Sequence, residues 1–200
     1  MKQLLASFRI FIVLTLLTGV LYPLAVTAVA RLIFPYRAGG SLVVVHKKVV
    51  GSELIGQQFT SQRYFQARPS AIAYNPLPSG GSNLSCTSLQ LWDSVETRGR
   101  MFRTVNRLPR QTVVPPDMLF ASASGLDPDI SPESARLQIA RVARERKFSK
   151  AERAALASLV EHAVFLPQMG FLGEPRVNVL RLNETLDKIN NPAASGGVSK

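Results

Sequence analysis

The sequence predicts a mixed α/β protein, in which one N-terminal transmembrane helix precedes a small exported α+β domain with a hairpin, a short sheet and three to four helices. Three observations predict it. An uncharged apolar run occupies residues 10–30, short β-branched runs follow it, and two later segments open with helix-capping residues. With 200 residues, the chain has about the length of one domain and an appendage.

The N-terminal apolar run is long enough to cross a bilayer as a helix. At about 1.5 Å per residue, residues 10–30 span a hydrocarbon core of roughly 30 Å. A cleaved signal peptide is the alternative, because residues 28–30 resemble a small-residue cleavage site. The apolar stretch of a signal peptide is usually only about 7 to 15 residues long, so we expect a retained anchor. The flanking basic residues do not decide its orientation, since long trailing domains translocate regardless of charge.

A hairpin, a long loop and a helix are expected after the anchor. Residues 40–45 and 49–55 are rich in valine and other apolar residues on either side of a polar break, which predicts two paired strands. Residues 66–87 are rich in proline, serine, glycine and asparagine and should form a loop. Residues 89–106 mix apolar and basic side chains and predict a helix. Residues 108–116 contain three prolines and should be extended.

Two further helices are predicted from their caps. Ser131 has the side chain of an N-cap, and Pro132 stands at the first helical position that proline favours. Ser149 and Glu152 have the spacing of a capping box.

The remaining residues complete the predicted organisation. Residues 176–180 predict a short buried strand, residues 182–189 predict a closing helix, and the tail is rich in alanine, serine and glycine, which favours disorder. The chain is therefore divided into a short cytoplasmic tip (1–9), a transmembrane helix (10–30), an exported domain (31–189) and a disordered tail (190–200).

The composition excludes several classes of protein. A single cysteine, Cys86, rules out an internal disulfide framework, and two histidines leave little for a zinc enzyme. No P-loop, dinucleotide or metalloprotease motif is present. The net charge of +11 would suit nucleic acid only in a cytoplasmic domain, and no nucleic-acid motif accompanies it, so we expect no nucleic-acid partner.

Two groups of residues suggest chemistry without forming a complete site. The serines at 122 and 124 lack the G-x-S-x-G elbow, which weighs against a membrane-anchored envelope hydrolase, the alternative function. Asp127 and Asp129 suggest a cation site, but acids at a turn and a helix entry are the simpler interpretation. On that interpretation Asp129 faces water.

A glycine-rich run remains as the candidate site. It comprises Ser79, Gly80, Gly81, Ser82 and Asn83. Consecutive glycines can turn the backbone tightly and expose N–H groups to an anion or to another chain. We expect both glycines to have backbone angles that a side chain would obstruct, and we expect the loop to contact a partner or, alternatively, a nucleotide. An ordinary surface loop is the competing interpretation.

Several blocks of the sequence, taken in order, resemble the C subunit of the Kdp potassium-transporting ATPase. Besides the anchor, the blocks that carry the resemblance are residues 51–57, 68–71, 79–84, 122–132, 141–144 and 173–180, with Phe59, Tyr64, Phe65, Tyr74, Gln138, Leu182 and Asn183.

The resemblance implies an accessory subunit of an inner-membrane complex rather than an enzyme by itself. The family's A subunit is channel-like, its B subunit is a P-type ATPase that hydrolyses ATP, and a small F subunit accompanies them. The C subunit is anchored among membrane lipids by one helix, with its domain in the periplasm, and is described as a catalytic chaperone for ATP use. A Ser-Gly-Gly signature, here Ser79 to Gly81, has been likened to ABC ATPases. The resemblance implies no cofactor that this chain binds with certainty: ATP is expected through the complex, with a nucleotide role of the chain itself as the alternative, and potassium is the transported ion.

The chain departs from the family pattern at two points. After Asn83 and Leu84 the family usually continues Gly-Pro-Ser-Asn-Pro, whereas this chain reads Ser85, Cys86, Thr87. The family commonly has histidine where this chain has Asp129. Both departures lie in predicted loops, so they put local contact chemistry in doubt.

Overall fold

The computed structural model describes residues 1–45 and 47–190, and it divides into two compact units, Met1–Val43 and Val44–Lys200. The predicted disordered tail falls almost wholly outside the described residues, as does His46 in the predicted hairpin.

The first unit is dominated by one long apolar helix. It runs from Lys2 to Ile33 as α1 (Lys2–Leu16), a π-helical segment (Leu17–Leu21) and α2 (Tyr22–Ile33). Its most apolar 18-residue stretch has a mean hydropathy of 2.2, and among the described residues it is the one helix long and apolar enough to cross a membrane. None of its side chains is fully buried. The predicted span at residues 10–30 lies inside this helix, which begins earlier than expected.

The π-helical segment has a local cause. Pro23 stands at the start of α2 and has no N–H to donate to the carbonyl four residues before it. A π-bulge accommodates such a break without ending the helix. The hydroxyls of Thr18 and Thr27 donate to the carbonyls of Leu14 and Pro23, each at 2.7 Å. The helix therefore satisfies the hydroxyls of Thr18 and Thr27 within its own backbone, as suits a lipid environment. A short helix, α3 (Pro35–Ala38), follows.

The predicted hairpin is confirmed. Strands β1 (Leu42–Val45) and β2 (Lys48–Ser52) pair in a two-stranded sheet. A second sheet has three antiparallel strands in the order β3–β5–β4, formed by β3 (Asp129–Ile130), β4 (Val164–Phe165) and β5 (Arg176–Asn178). Val177 lies opposite Ile130 on one side and opposite Val164 on the other, so it is the buried centre of this sheet.

Helices cover this small sheet and form most of the core. They are α4 (Leu89–Asn106), α5 (Pro116–Leu119), α6 (Pro132–Glu145), α7 (Lys150–His162) and α8 (Val179–Asn190). Helix α7 packs between α6 and α8, while α4 packs on α5 and α6. The buried apolar side chains of these helices meet Val177 and Phe65 in one cluster.

The predicted caps are confirmed. The hydroxyl of Ser131 accepts a hydrogen bond from the N–H of Ser134 at 3.1 Å. Ser149 and Glu152 form the reciprocal capping box, with bonds of 2.7 and 3.3 Å. The helix predicted at residues 89–106 also has the predicted bounds.

Two predictions about the secondary structure are wrong in detail. The strand at residues 176–180 ends at Asn178, because the side chain of Asn178 accepts from the N–H of Arg181 at 3.1 Å and so caps α8. The segment 108–116 contains turns rather than one extended stretch, and α5 begins at its end.

Candidate contact site

The predicted site lies in a long loop that runs beside a second loop from the later half of the chain. No helix or strand interrupts residues 66–87. The N–H of Gly80 donates to the carbonyl of Ser124 at 3.0 Å, and Gly81 runs close to Ala123. Residues 79–83 and 122–125 are separated by about forty positions in the sequence, and the fold brings them together. We call residues 79–83 the contact loop.

The contact loop presents its polar side chains to solvent. Ser79, Ser82 and Asn83 are exposed, and within the described part of the chain their side chains bond to no other group. The loop itself contains no charged residue. Its outward surface therefore consists of two hydroxyls and one amide that remain available to a partner.

The explanation expected for its glycines needs correction. Neither Gly80 nor Gly81 has a left-handed backbone; the residue with a positive φ is Asn83, at 51°. A Cβ on Gly80 would meet nothing within 4 Å, whereas one on Gly81 would lie 3.0 Å from the carbonyl oxygen of Ala123. Space against the neighbouring loop, rather than backbone angle, therefore restricts Gly81.

The position that requires glycine is Gly125, in the neighbouring loop. Its φ is 70°, and a Cβ there would lie 2.9 Å from the carbonyl oxygen of Gly80 and would also meet Ile72. In the sequence analysis this glycine appeared only within residues 122–132, one of the blocks that carry the family resemblance. Its role depends on the approach of the contact loop, which no local pattern reveals.

Asp127 links the two loops through Arg68. The guanidinium of Arg68 contacts the Asp127 carboxylate at 2.6 Å, and that carboxylate also accepts from the N–H of Asp129 at 3.0 Å. The phenol of Tyr74 donates to the carbonyl of Arg68, and burial, with a smaller contribution from Asp127, raises the pKa of Tyr74 to about 12. The predicted turn role of Asp127 is confirmed, and the ion pair with Arg68 is an addition to it.

Asp129 does not face water as expected. It is partly buried in β3, pairs with Arg176 at 2.9 Å and accepts from the side-chain amide of Asn178 at 3.2 Å. Burial is the main influence on this carboxyl and raises the pKa of Asp129 despite the attraction of Arg176. Asp129 is therefore a sheet residue with partners on β5.

Three buried polar side chains hold the start of the long loop. Asn183 exchanges two hydrogen bonds with the backbone of Phe65, at 2.8 and 2.9 Å, and Gln138 exchanges two with the backbone of Gln66, at 2.8 and 3.2 Å. Each side chain accepts from the N–H and donates to the carbonyl of one residue, as a neighbouring strand would. The Asn183 and Gln138 side chains therefore take the place of a paired strand beside Phe65 and Gln66. We call Gln138, Arg141 and Asn183 the polar clamp.

Arg141 completes the clamp without a carboxylate partner. Its buried guanidinium donates to Asn106 at 2.9 Å, to Gln138 at 2.7 Å and to the carbonyls of Gln62 and Tyr64. Burial lowers the pKa of Arg141 to about 10, so it remains charged at neutral pH. Gln138, Arg141 and Asn183 were part of the family resemblance, but nothing in their sequence spacing indicated that they meet.

The described residues offer little for hydrolysis. The hydroxyl of Ser124 accepts from the N–H of Leu126 at 3.1 Å and shapes a turn. His162 lies 3.3 Å from the hydroxyl of Ser158, but its Nδ1 also lies 2.7 Å from the Ser158 carbonyl, which can only accept a proton. That bond places a hydrogen on Nδ1, so this nitrogen cannot act as a base toward Ser158. Among the described residues, no three His, Cys, Asp or Glu side chains lie close enough together to hold a metal ion.

Comparison with known proteins identifies the family to which this chain belongs. The model of the K+-transporting ATPase c chain, KdpC, matches residues 4–188. Potassium-transporting ATPase KdpC subunits are similar to this chain over most of its length. The one from Methylibium petroleiphilum is 50% identical over 94% of this chain and 98% of its own. The one from Leptospira interrogans is 48% identical over 90% and 91%, and the one from Mycobacterium bovis 44% identical over 94% and 99%. The chain therefore belongs to the KdpC family and is a membrane-associated subunit of a potassium-transporting ATPase.

Proposed function

We propose that this chain is a non-catalytic accessory subunit of the ATPase. It holds the channel-like A subunit and the ATP-hydrolysing B subunit together, with the small F subunit beside them. It also acts as a catalytic chaperone for ATP use. Its anchor lies in the inner membrane with the N-terminus in the cytoplasm and the domain in the periplasm. The apolar helix Lys2–Ile33 supports the anchor, and residues 10–30 contain no Asp, Glu, Lys, Arg or His side chain that would serve an ion pathway.

The contact loop is one of the surfaces through which we propose that assembly takes place. The observation that carries this proposal is its combination of exposed, unbonded polar side chains with a fixed backbone. Gly80 is bonded to Ser124, and Gly81 is packed against Ala123, so the loop keeps its shape without a partner. A surface that is already ordered loses little conformational entropy on binding.

Binding of ATP at the same loop is the alternative. The Ser-Gly-Gly signature favours it, and exposed backbone N–H groups can hold phosphate. Against it, the loop has no lysine or arginine, and Arg68 nearby is paired with Asp127. A periplasmic domain would also meet little ATP. A protein contact is therefore the better proposal.

The test compares substitutions in the contact loop with one elsewhere. Gly81→Val should push the loop away from Ala123, and Ser82→Ala removes one exposed hydroxyl without changing the backbone. Ser94→Ala, on the surface of α4, is the control because the Ser94 hydroxyl bonds only within its own helix. The full chain is produced with the A, B and F subunits, and the amount of A and B that co-purifies is measured.

We expect Gly81→Val to reduce the recovery of A and B strongly, Ser82→Ala to reduce it less and Ser94→Ala to leave it unchanged. Unchanged recovery with Gly81→Val would contradict the contact proposal. A titration of the purified chain with labelled ATP covers the alternative: saturable binding that Gly81→Val abolishes would favour the nucleotide role instead.

A further inference from the structure

The connection between β4 and β5 is a second exposed surface, and its composition is unlike that of the contact loop. Phe165 in β4 pairs with Arg176 in β5, and the chain between them projects as a hairpin. No charged residue occurs from 165 to 173. Four large apolar side chains are exposed here: Leu166 at 74%, Met169 at 85%, Phe171 at 74% and Leu172 at 50%. We call residues 166–172 the hairpin tip.

The hairpin tip is ordered by its own backbone bonds. The N–H groups of Gln168 and Leu172 each donate to the other residue's carbonyl at 2.9 Å, and the N–H of Gly170 donates to Pro167 at 3.1 Å. A projecting apolar segment that is held this way does not need to collapse onto the domain. Its exposure is therefore a property of the fold rather than of a loose loop.

Met169 is an unusual residue for its position in the tip. Its φ is 54°, in the left-handed region that glycine and asparagine adopt readily and that other side chains avoid. Asparagine would suit this turn better and would not expose an apolar side chain to water. At 85% exposure the Met169 side chain packs against little of its own domain, so the packing of the described residues does not account for methionine at this position. Methionine is well suited to contact with another molecule because it adapts to irregular apolar surfaces.

We propose that the hairpin tip inserts into an apolar recess of another subunit of the same ATPase. This inference rests on the proposed function, since it requires that the chain assembles with partner subunits. Apolar patches of a few hundred Å² on soluble surfaces usually mark interaction sites. Aromatic residues and methionine are enriched at protein interfaces, while charged residues are depleted at their centres. The tip has this composition.

A lipid surface fits the tip less well. Segments that lie on membranes usually place lysine or arginine beside their apolar residues, because these attract anionic lipids. The tip has none, and the next charged residue along the chain is Glu174. A rigid, uncharged projection is better matched to a preformed recess in a protein.

The size of the tip suggests that it is an additional attachment point. One partner of a standard stable interface contributes about 20 to 30 residues, whereas the hairpin tip, residues 166–172, has only seven. The apolar anchor helix is a second attachment point in the same chain. Two weak attachments on one chain act together, since binding of the first raises the local concentration of the second.

The test uses the full chain assembled with its partner subunits in detergent. Phe171→Ser removes one apolar anchor, and Met169→Asn replaces methionine by a residue that suits the left-handed backbone. Val113→Ser is the matched control, because Val113 is an exposed apolar residue elsewhere, at 77%. The retention of partner subunits on the immobilised chain is measured through a dilution series, together with the thermal midpoint of each variant.

We expect Phe171→Ser and Met169→Asn to weaken retention about 10- to 100-fold, the effect of losing a well-packed anchor. Met169→Asn should keep or raise the thermal midpoint, so its loss of binding cannot come from misfolding. Val113→Ser should bind like the wild type. In parallel, benzoylphenylalanine at position 171 should cross-link under ultraviolet light to a partner subunit.

Retention like the wild type in both tip variants would overturn the inference, as would cross-linking only to lipid or to a second copy of this chain. The outcomes also separate the two proposals. If Gly81→Val weakens assembly while both tip variants bind normally, the hairpin inference alone fails. If the wild-type chain retains no partner subunit, the proposed function fails as well.

Discussion

Replacing Asn183 by leucine is expected to release the start of the long loop that carries the contact site. The Asn183 side chain accepts from the N–H of Phe65 at 2.8 Å and donates to its carbonyl at 2.9 Å, and both residues are buried. Leucine has the same branched arrangement of side-chain heavy atoms as asparagine, so Asn183→Leu leaves no large cavity. It does leave two buried backbone groups without partners.

The magnitude follows from those two groups. Each buried polar group that loses its partner costs about 1–3 kcal/mol, so Asn183→Leu should lower the free energy of unfolding by about 2–6 kcal/mol. That is a large part of the roughly 5–15 kcal/mol that stabilises a typical domain. Thr185→Ala is the control on the same helix, because the Thr185 hydroxyl bonds only to the carbonyl of Arg181 one turn before it. We expect it to change the free energy by less than about 0.5 kcal/mol.

Two measurements on the full chain in detergent check this prediction. Urea unfolding gives the free energy, and amide hydrogen exchange reports on residues 62–66 directly. Asn183→Leu should lower the urea midpoint and accelerate exchange in that segment, while Thr185→Ala should do neither. If the two variants have the same midpoint and residues 62–66 exchange as slowly as in the wild type, the polar clamp does not hold the loop.

The remaining predictions concern the helix entry and the topology. Ser131→Ala should lower the free energy of unfolding by about 0.5–2 kcal/mol through loss of the cap, and an unchanged urea midpoint would contradict it. Asp129→Asn should cost less at pH 7, because burial raises the pKa of Asp129. A carboxyl with a raised pKa stabilises the fold fully below its ordinary pKa of 3.8 and loses that contribution as the pH rises through the raised pKa. The stability of the wild type relative to Asp129→Asn should therefore fall as the pH rises above about 3.8. A rising difference would contradict this assignment. Cys86 is free and exposed, so an impermeant maleimide should label it from the periplasmic side, and labelling only from the cytoplasm would contradict the topology. The mature chain should retain its anchor, and an N-terminus at Arg31 would contradict that.

Features determined by neighbouring residues were predictable from the sequence. The apolar helix follows from a run of uncharged residues, and the starts of α6 and α7 follow from Ser131 and from Ser149 with Glu152. In each case the atoms that bond are within four positions of one another, so spacing alone is sufficient. The long loop was predictable for the same reason, because its residues favour turns at every step.

Features determined by distant residues were not predictable. Strands β3 and β4 have two residues each, too short for an alternating pattern, and they exist because Val177 pairs with Ile130 and Val164. The start of α8 depends on the cap formed by the Asn178 side chain. This cap was not predicted, because the apolar residues around Asn178 continue the pattern of a strand. The restriction on Gly81 arises from Ala123, which lies about forty positions away. Asp129 was expected to face water because it precedes a helix cap; its partner Arg176 lies far along the chain, so no local pattern indicated the ion pair.

The buried polar side chains of the clamp connect the fold to the proposed assembly role. Arg141, Gln138 and Asn183 are the kind of buried polar side chains that often mark a reaction centre, yet each is bonded to backbone or to another member of the clamp. Their effect is to hold the backbone of residues 62–66, where the long irregular segment begins, as a neighbouring strand would. The hairpin tip is likewise held in shape, in its case by hydrogen bonds within its own backbone. A subunit whose task is to bind partners benefits from both, since a preformed surface avoids the entropy cost of ordering itself at each contact. Two ordered and chemically different surfaces, one polar and one apolar, are accordingly what we expect of a chain that holds unlike subunits together.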